Sequence, residues 1–198
     1  LGGSSFAQIL GKIGTSTPTI QNPANFKNTF NTIQKLIKEG KITAGHDIAS
    51  GGLITTLLEM CFAQINIGAE IDLSDIDEHE IVKILLAESS GIVFQTDDQS
   101  YVETILNNHQ IKYHIIGKAL QSDTLFINKN QEKLNFNIAE YRDIWYKTSY
   151  LFDQYQSGKI KAKERFEHYK NQPLKYVFPE NYINKRKDLT HAKPKIKA

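Results

Sequence analysis

The residues best suited to chemistry in this chain lie where a short apolar run meets a strongly apolar helical pattern. They supply an imidazole, a carboxylate, a hydroxyl and two glycines, at His46, Asp47, Ser50, Gly51 and Gly52. Glycines let a backbone approach a ligand closely, and the unpaired N–H groups at a helix start favour an anion. The pattern therefore predicts a phosphate-binding turn. In the alternative interpretation, the serine only caps the helix and the aspartate only orients the turn.

A second glycine-rich turn opens the chain and repeats this arrangement. Gly2, Gly3 and Ser4 precede a short helical pattern from Phe6 to Ile13. Two glycines and a hydroxyl at a helix start again offer backbone donors and a side-chain oxygen to an anion. A remnant of an expression tag is the competing explanation for this turn alone. Two such turns in one small domain favour an anion site more than either turn does by itself.

A run of acidic side chains suggests a divalent metal, but its spacing does not support one. The five carboxylates are those of Asp72, Asp75, Asp77, Glu78 and Glu80. The run lacks the glycine and the distal glutamate of a calcium-binding loop. Acidic residues before a helix that includes Ile81 stabilise the helix dipole without any ligand. We therefore expect helix capping here and no metal site.

The remaining reactive side chains show no catalytic arrangement. The other histidines have no metal-ligand spacing: His79, His109, His114, His168 and His191. Cys61, the only cysteine, lies within a helical pattern, where a buried and inert thiol is the expected state. The chain has neither a nucleophile elbow of the G-x-S/C-x-G type nor a P-loop. The sequence therefore predicts binding chemistry and no catalytic residue.

Helical and strand patterns alternate along the first 138 residues. Strands are predicted at Ile42–Gly45, Ala69–Leu73, Gly91–Gln95, Tyr113–Ala119 and Thr124–Asn128, and helices at Leu53–Gln64 and Tyr101–Leu106. A further helix is predicted to bury Phe26, Phe30, Ile33 and Ile37 on one face. The alternation indicates a layered α+β fold with helices packed on a sheet. The last two strands are close enough in sequence to form an antiparallel hairpin, so we expect a mixed sheet.

Composition places the chain among globular proteins with an acidic body and a basic end. It has 198 residues, 40% of them hydrophobic, and no apolar run of the ~18 residues that a membrane span needs. A single cysteine and the lack of a signal-peptide pattern favour the reducing cytoplasm. Residues 1–158 hold 12 Lys and Arg against 18 Asp and Glu, a balance of −6, whereas residues 159–198 hold 12 against 4, a balance of +8. Because the chain begins at Leu1, we expect either processing or excision from a longer polypeptide.

Three regions follow from these patterns. We expect an α/β domain at residues 1–138, a helical aromatic extension at residues 139–180 and a basic, flexible tail at residues 181–198. The extension is predicted to hold a long helix, Tyr141–Gln156, and a short one, Lys163–Lys170. The aromatic side chains of the long helix predict a docking face for another domain. Lysines in the tail could contact nucleic-acid phosphates, but no base-reading motif accompanies them.

Several motifs resemble one family of proteins. L-G-G-S-x-x-A-Q begins at Leu1, G-H-D-I-A-S-G-G-L at Gly45 and L-L-E-M-x-F-A at Leu57. Together they resemble the C-terminal half of an aminoimidazole-ribonucleotide-synthetase-type module, which selenophosphate synthetase and thiamine-monophosphate kinase also contain. The segment Y-R-D-I-W-Y-K-T-S-Y-L-F-D-Q-Y-Q-S-G, from Tyr141, is similar to the one that joins the second such module to the glutaminase domain in large phosphoribosylformylglycinamidine synthases. The resemblance covers residues 1–180.

The resemblance implies a domain of an ATP-dependent glutamine amidotransferase of purine biosynthesis. Such enzymes convert formylglycinamide ribonucleotide to formylglycinamidine ribonucleotide with ATP, Mg²⁺ and ammonia from glutamine. The implied partners are the N-terminal synthetase modules and the glutaminase domain of the same polypeptide, so the chain alone is expected to be inactive and to hold no cofactor tightly. By position, the implied phosphate cleft is lined by Gly2, Gly3, Ser4, His46, Asp47, Ser50, Gly51 and Gly52.

Two other functions stay open on the sequence alone. One is a different ATP-using synthetase or kinase of the same superfamily, although the N-terminal half of such a module is absent from this chain. The other is a stand-alone module that binds phosphate or nucleic acid.

Overall fold

The computed structural model describes residues 1–171, 177, 178 and 180. The chain divides into two compact units, Leu1–Ser149 and Tyr150–Ala198. The predicted basic tail, residues 181–198, lies outside the described residues. No helix in the described part of the chain has the length and the apolar composition that crossing a membrane requires.

The first unit alternates helices and strands. Its helices are α1 (Ser5–Ile9), α2 (Pro23–Lys38), α3 (Gly52–Phe62), α4 (Ile81–Leu86), α5 (Gln99–Asn108) and the start of α6 (Ile138–Ser157). Its strands are β1 (Ala44–Ile48), β2 (Gly68–Asp72), β3 (Gly91–Gln95), β4 (Gly117–Leu120), β5 (Thr124–Lys129) and β6 (Glu132–Asn137). The predicted layered α+β class is confirmed.

A four-stranded mixed sheet has the strand order β4-β2-β5-β6. β2 pairs in parallel with β5, where Ile71 stands opposite Ile127, and both outer pairs are antiparallel. The mixed sheet is confirmed, but the predicted hairpin is wrong because β2 lies between β4 and β5. The hairpin is formed by β5 and β6, which Asn130 joins with φ 54°. β6 was missed because its sequence, E-K-L-N-F-N, contains only two apolar residues.

The main core lies between this sheet and helices α3 and α4. It is built from nine buried aliphatic side chains: Leu53, Leu57, Leu58, Ile71, Leu73, Ile81, Leu85, Leu125 and Ile127. Burying each such side chain contributes roughly 1.5–3 kcal/mol to stability. The core therefore fixes α3 against the sheet, and with it the glycine-rich turn where α3 begins.

A second sheet, of two antiparallel strands, contains two of the predicted site residues, His46 and Asp47. β1 pairs with β3, and His46 stands opposite Val93. The predicted strand Ile42–Gly45 is displaced, because β1 begins at Ala44 and ends at Ile48. His46 and Asp47 therefore lie within a strand and not in the turn that follows it. Thr56 of α3 fixes this strand through a hydrogen bond of 2.9 Å from its hydroxyl to the carbonyl of Asp47.

The packing face of α2 also differs from the prediction. Ile33 and Leu36 are buried against Val102 and Leu106 of α5 in a second, smaller core. Phe26 and Phe30 are exposed, the latter by 57%. Two helices that cross make only a narrow contact, so the buried stripe on α2 is narrower than its apolar face.

The second unit contains the end of α6, helix α7 (Lys159–His168) and a short 3-10 turn, Tyr169–Asn171. The rings of Tyr150 and Phe166 stack with centroids 4.6 Å apart. Arg165 donates two hydrogen bonds to the carboxylate of Asp153, at 2.7 and 2.8 Å. α7 begins four residues before the predicted helix Lys163–Lys170, because Gly158 breaks α6 and allows a new helix to start.

Candidate functional site

The two glycine-rich turns meet at the carboxylate of Glu88. Its Oε1 accepts a hydrogen bond from the N–H of Gly51 at 2.7 Å and another from the N–H of Ser5 at 2.8 Å. These hydrogen bonds, first from Gly51 and then from Ser5, hold the pKa of Glu88 below the usual range of a glutamate. A backbone N–H next to the first turn and one within the second thus donate to the same carboxylate oxygen, which belongs to a side chain of the protein itself.

Glycine is required at the start of α3 by backbone conformation and by close packing. Gly51 has φ +86° and Gly52 has φ +73°, in the left-handed region. A Cβ at Gly52 would lie 2.6 Å from the carbonyl oxygen of Leu85, at the end of α4. This close approach brings Glu88, two residues after α4, within reach of the turn.

Ser50 does not cap α3, so the alternative interpretation of that serine is wrong. The N-cap residue is Gly51, and no side chain accepts a hydrogen bond there. Ser50 is exposed. The left-handed conformation of Gly51 separates Ser50 from the first turn of the helix, and the Glu88 carboxylate accepts from the N–H of the N-cap residue, Gly51, itself.

The first glycine-rich turn is closed by its own hydrogen bonds. Ser4 is buried and caps α1: its hydroxyl accepts from the N–H of Ala7 at 3.2 Å and donates to the carbonyl of Leu1 at 2.6 Å. The N–H of Gly3 donates to the carbonyl of Ile13 at 2.7 Å. Gly2 packs so tightly that an added Cβ would lie 2.1 Å from the carbonyl oxygen of Ser16. The turn is therefore an integral part of the first unit.

His46 belongs to a separate network around Glu59 of α3. Its Nε2 lies 3.1 Å from Glu59 Oε2, and its Nδ1 lies 2.7 Å from the carbonyl oxygen of Asp47. Trp145 of α6 donates its indole N–H to Glu59 Oε1 at 2.7 Å. Both ring nitrogens of His46 face oxygen acceptors, and only the doubly protonated ring can donate to both.

The eight predicted site residues therefore fall into two groups. Gly2, Gly3 and Ser4 lie near Gly51, Gly52 and the preceding Ser50, because Glu88 joins the two turns. His46 contacts α3 at Glu59, seven residues after Gly52 and thus about 10 Å farther along the helix. The side chain of Asp47 is 77% exposed, and its Oδ1 lies 3.6 Å from Nδ1 of His46.

A small polar pocket adjoins the Glu88 corner. Its volume is about 200 Å³, and its polar lining includes Gly2, Ser16, Thr17, Gln21, Glu88 and Ser89. None of the residues that line it has a basic side chain. The lining offers hydroxyl, amide and carboxylate groups, which can bind hydrogen-bonding ligands but supply no nucleophile activated by a base.

The acidic run supplies the N-cap residue of α4, Glu80, but no capping hydrogen bond. No acidic residue lies in the first turn of α4, and the side chain of Glu80 makes no capping hydrogen bond. Asp72 instead interacts with Ser74: the side-chain hydroxyl first, and then the N–H that donates to Asp72 at 2.9 Å, lower the pKa of Asp72. The ammonium group of Lys129, a residue only 3% exposed, donates to two carbonyls of the same loop. Among the described residues, no group of three His, Cys, Asp or Glu side chains could hold a metal.

The sequence predictions did not include three residues that make contacts at the site. Glu88, Glu59 and Trp145 each bind a predicted site residue or a neighbour of one. No sequence signal identifies Glu88, because its partners are backbone N–H groups that nearly every residue has. Cys61 matches its prediction: it is buried, and burial raises the pKa of its thiol.

The sequence is similar to a family model and to several curated proteins. The model described as AIR synthase related protein, C-terminal domain, matches residues 1–129. A phosphoribosylformylglycinamidine synthase of Dictyostelium discoideum is 34% identical over 178 residues, covering 80% of this chain and 13% of that protein. A probable chloroplastic or mitochondrial one of Arabidopsis thaliana is 33% identical over 163 residues, covering 79% of this chain and 11% of that protein. The Homo sapiens synthase is 28% identical over 163 residues, covering 79% of this chain and 12% of that protein.

Solved structures of PurL from Thermotoga maritima share the fold. The complex with FGAR aligns at a TM-score of 0.54 and 18% identity, covering 62% of this chain and 22% of that one. The PurLQS structure aligns at a TM-score of 0.54 and 15% identity, covering 69% of this chain and 24% of that one. This chain thus spans about an eighth of the length of its curated relatives and about a quarter of the solved chains. With the family model matching residues 1–129, the chain belongs to the AIR synthase related protein, C-terminal domain family.

Proposed function

We propose that this chain is one domain of a larger cytoplasmic, ATP-dependent glutamine amidotransferase that converts formylglycinamide ribonucleotide to formylglycinamidine ribonucleotide. One observation carries the proposal. The Dictyostelium discoideum synthase aligns with 80% of the 198 residues, about 158 residues, which exceeds the 129 that the family model matches. The similarity therefore extends into the helical extension, a feature that the general family model does not include. This favours a synthase of this kind over other synthetases and kinases of the superfamily.

The domain's part in that reaction is to help hold phosphate groups. At the corner formed by the Gly2–Ser4 turn and the Gly51–Gly52 turn, the N–H groups of Ser5 and Gly51 hold a carboxylate oxygen of Glu88, and a phosphate group offers the same kind of anionic oxygen acceptor. In the whole enzyme, ATP and Mg²⁺ supply the phosphoryl chemistry, and the other domains supply most of their ligands. The chain alone then holds neither tightly and has no activity.

The extension provides the contact with the rest of the enzyme. On α6, Ile144 of the first unit and Phe152 of the second are exposed, and Tyr155 is 92% exposed. Aromatic side chains such as those of Phe152 and Tyr155 are common in the centres of protein interfaces. The partners in this proposal are the synthetase modules and the glutaminase domain of the same polypeptide.

A calorimetric titration of the chain with formylglycinamide ribonucleotide and with Mg-ADP tests the phosphate-binding role. Saturable binding that Gly51→Ala abolishes would support the corner as the site. Gly40→Ala is the matched control, because Gly40 also has positive φ but a Cβ added there would meet no atom within 4 Å. Binding that both variants retain, or no binding of either ligand, would reject a phosphate site formed by this chain alone.

A further inference from the structure

Glu88 connects two segments that are distant in the sequence. Its partners Ser5 and Gly51 lie 83 and 37 residues away, and both donate to the same carboxylate oxygen. We propose that Glu88 is a positioning residue, which fixes the two glycine-rich turns relative to each other. This inference rests on the proposed function, because those turns form the phosphate-binding corner.

The backbone around Glu88 is shaped to bring its carboxylate to the turns. α4 ends at Leu86. Gly52 has no side chain, and its Cα packs against the backbone of Leu85 and Leu86 at the end of that helix. Any larger residue at Gly52 would push this segment away. The two N–H···O distances, 2.7 and 2.8 Å, are those of charge-assisted hydrogen bonds.

Backbone groups, and not a basic side chain, balance the charge of Glu88. Among the described residues, the ion pairs do not include Glu88, and no residue lining the adjacent pocket has a basic side chain. The start of α3 carries a partial positive charge, which favours a carboxylate there. Glu88 is therefore held by the two turns that it joins, and each turn depends on the same oxygen for its position.

Titration of the amide resonances of the ¹⁵N-labelled chain tests this role without any ligand. If one oxygen serves both donors, the amide shifts of Ser5 and Gly51 should change together through one transition as Glu88 is protonated. In Glu88→Gln that shared transition should vanish from both amides. The N–H of Glu80, which donates to Glu78 Oε1 at 3.1 Å, is the matched control and should titrate unchanged.

Hydrogen exchange measures the strength of the connection. Glu88→Ala should accelerate exchange at Ser5 and Gly51 at least tenfold, while Glu88→Gln, whose amide oxygen can still accept, should do so less. If Glu88→Ala fails to fold, the amide titration of the unmodified chain and of Glu88→Gln still shows whether Glu88 binds both turns. Separate midpoints for the two amides, or a response at only one of them, would overturn the proposal.

Titration with inorganic pyrophosphate separates this role from simple occupation of the site. A positioning role predicts weaker pyrophosphate binding in Glu88→Gln than in the unmodified chain. Tighter binding would show that the carboxylate merely occupies a phosphate position, and would overturn the proposal. If the unmodified chain binds no pyrophosphate, the phosphate-binding role fails, whereas the amide titration still decides whether Glu88 positions the turns.

Discussion

Helix α3 is held near its two ends by glutamates that use their carboxylates in different ways. At its start, Glu88 accepts hydrogen bonds from backbone N–H groups of Gly51 and Ser5. Nearer its end, Glu59 accepts one from the indole of Trp145 and faces the imidazole of His46. The first contact depends on backbone conformation, so it requires glycine nearby. The second depends on side-chain type, so conservative substitutions can weaken it without disturbing the fold.

The two contacts also differ in how they relate to the family domain. Glu88 and its partners all lie within residues 1–129, which the family model matches. The Glu59 network draws its indole from Trp145, beyond that boundary. A tilted ring contact between Phe62 and Trp145, at a centroid distance of 5.7 Å, strengthens the same connection. The Glu88 corner thus belongs to the family domain, whereas the Glu59 network holds the start of α6, within the first unit, against that domain.

The largest expected effect is that of Gly52→Ala. A Cβ there would meet the Leu85 carbonyl oxygen at 2.6 Å, and φ +73° adds backbone strain. We expect a loss of about 3 kcal/mol in the free energy of unfolding, measured with urea. Gly40→Ala is the control: with φ +68° and no neighbour within 4 Å, it should cost only about 1 kcal/mol. Equal losses would mean that close packing is not what requires glycine at the start of α3.

Trp145→Phe should have the next largest effect. It removes the N–H that donates to Glu59 but keeps a ring beside Phe62. We expect a loss of about 1.5 kcal/mol, because hydrogen bonds to charged groups are stronger than neutral ones. Thermal unfolding followed by circular dichroism, in a double-mutant cycle with Glu59→Gln, would show whether the two losses overlap. Fully additive losses would contradict a direct contact, and Tyr155→Phe, at a 92% exposed position, should change nothing.

Glu88→Gln should have a smaller effect, which depends on pH. The pKa of Glu88 is lowered in the folded chain, so its ionised form adds stability above the unfolded value of ~4.3. This stability is lost as the pH falls through the lower folded value. We expect the variant to be only about 1 kcal/mol less stable at pH 7, because solvent screens this partly exposed carboxylate. Urea unfolding at several pH values should show the difference shrinking in acid, and a constant difference would contradict the ionic contribution.

The sequence predicted the helices and strands around the site better than the contacts between their side chains and backbone groups. β3 was predicted at its observed limits, and α3 within two residues at its far end, because both have apolar patterns that end at polar or glycine residues. The pairing of β2 between β4 and β5 was not predictable, since strand order depends on packing between distant segments. The Glu88 contacts were missed for a related reason: their donors are backbone N–H groups, which cannot be identified from residue type. Trp145 was predicted only as part of a docking face, although its indole also binds within the chain.

The smallest expected effect is that of Ser50→Ala. Ser50 is exposed and Gly51 is the N-cap without a side-chain hydrogen bond, so we expect a change within ~0.5 kcal/mol in the free energy of unfolding. Ser4→Ala is the matched comparison, because Ser4 is a buried N-cap whose hydroxyl makes two hydrogen bonds, and it should cost about 1–2 kcal/mol. A loss at Ser50 as large as that at Ser4 would restore a capping role. A change in ligand binding without a change in stability would instead place the Ser50 hydroxyl in the phosphate-binding corner.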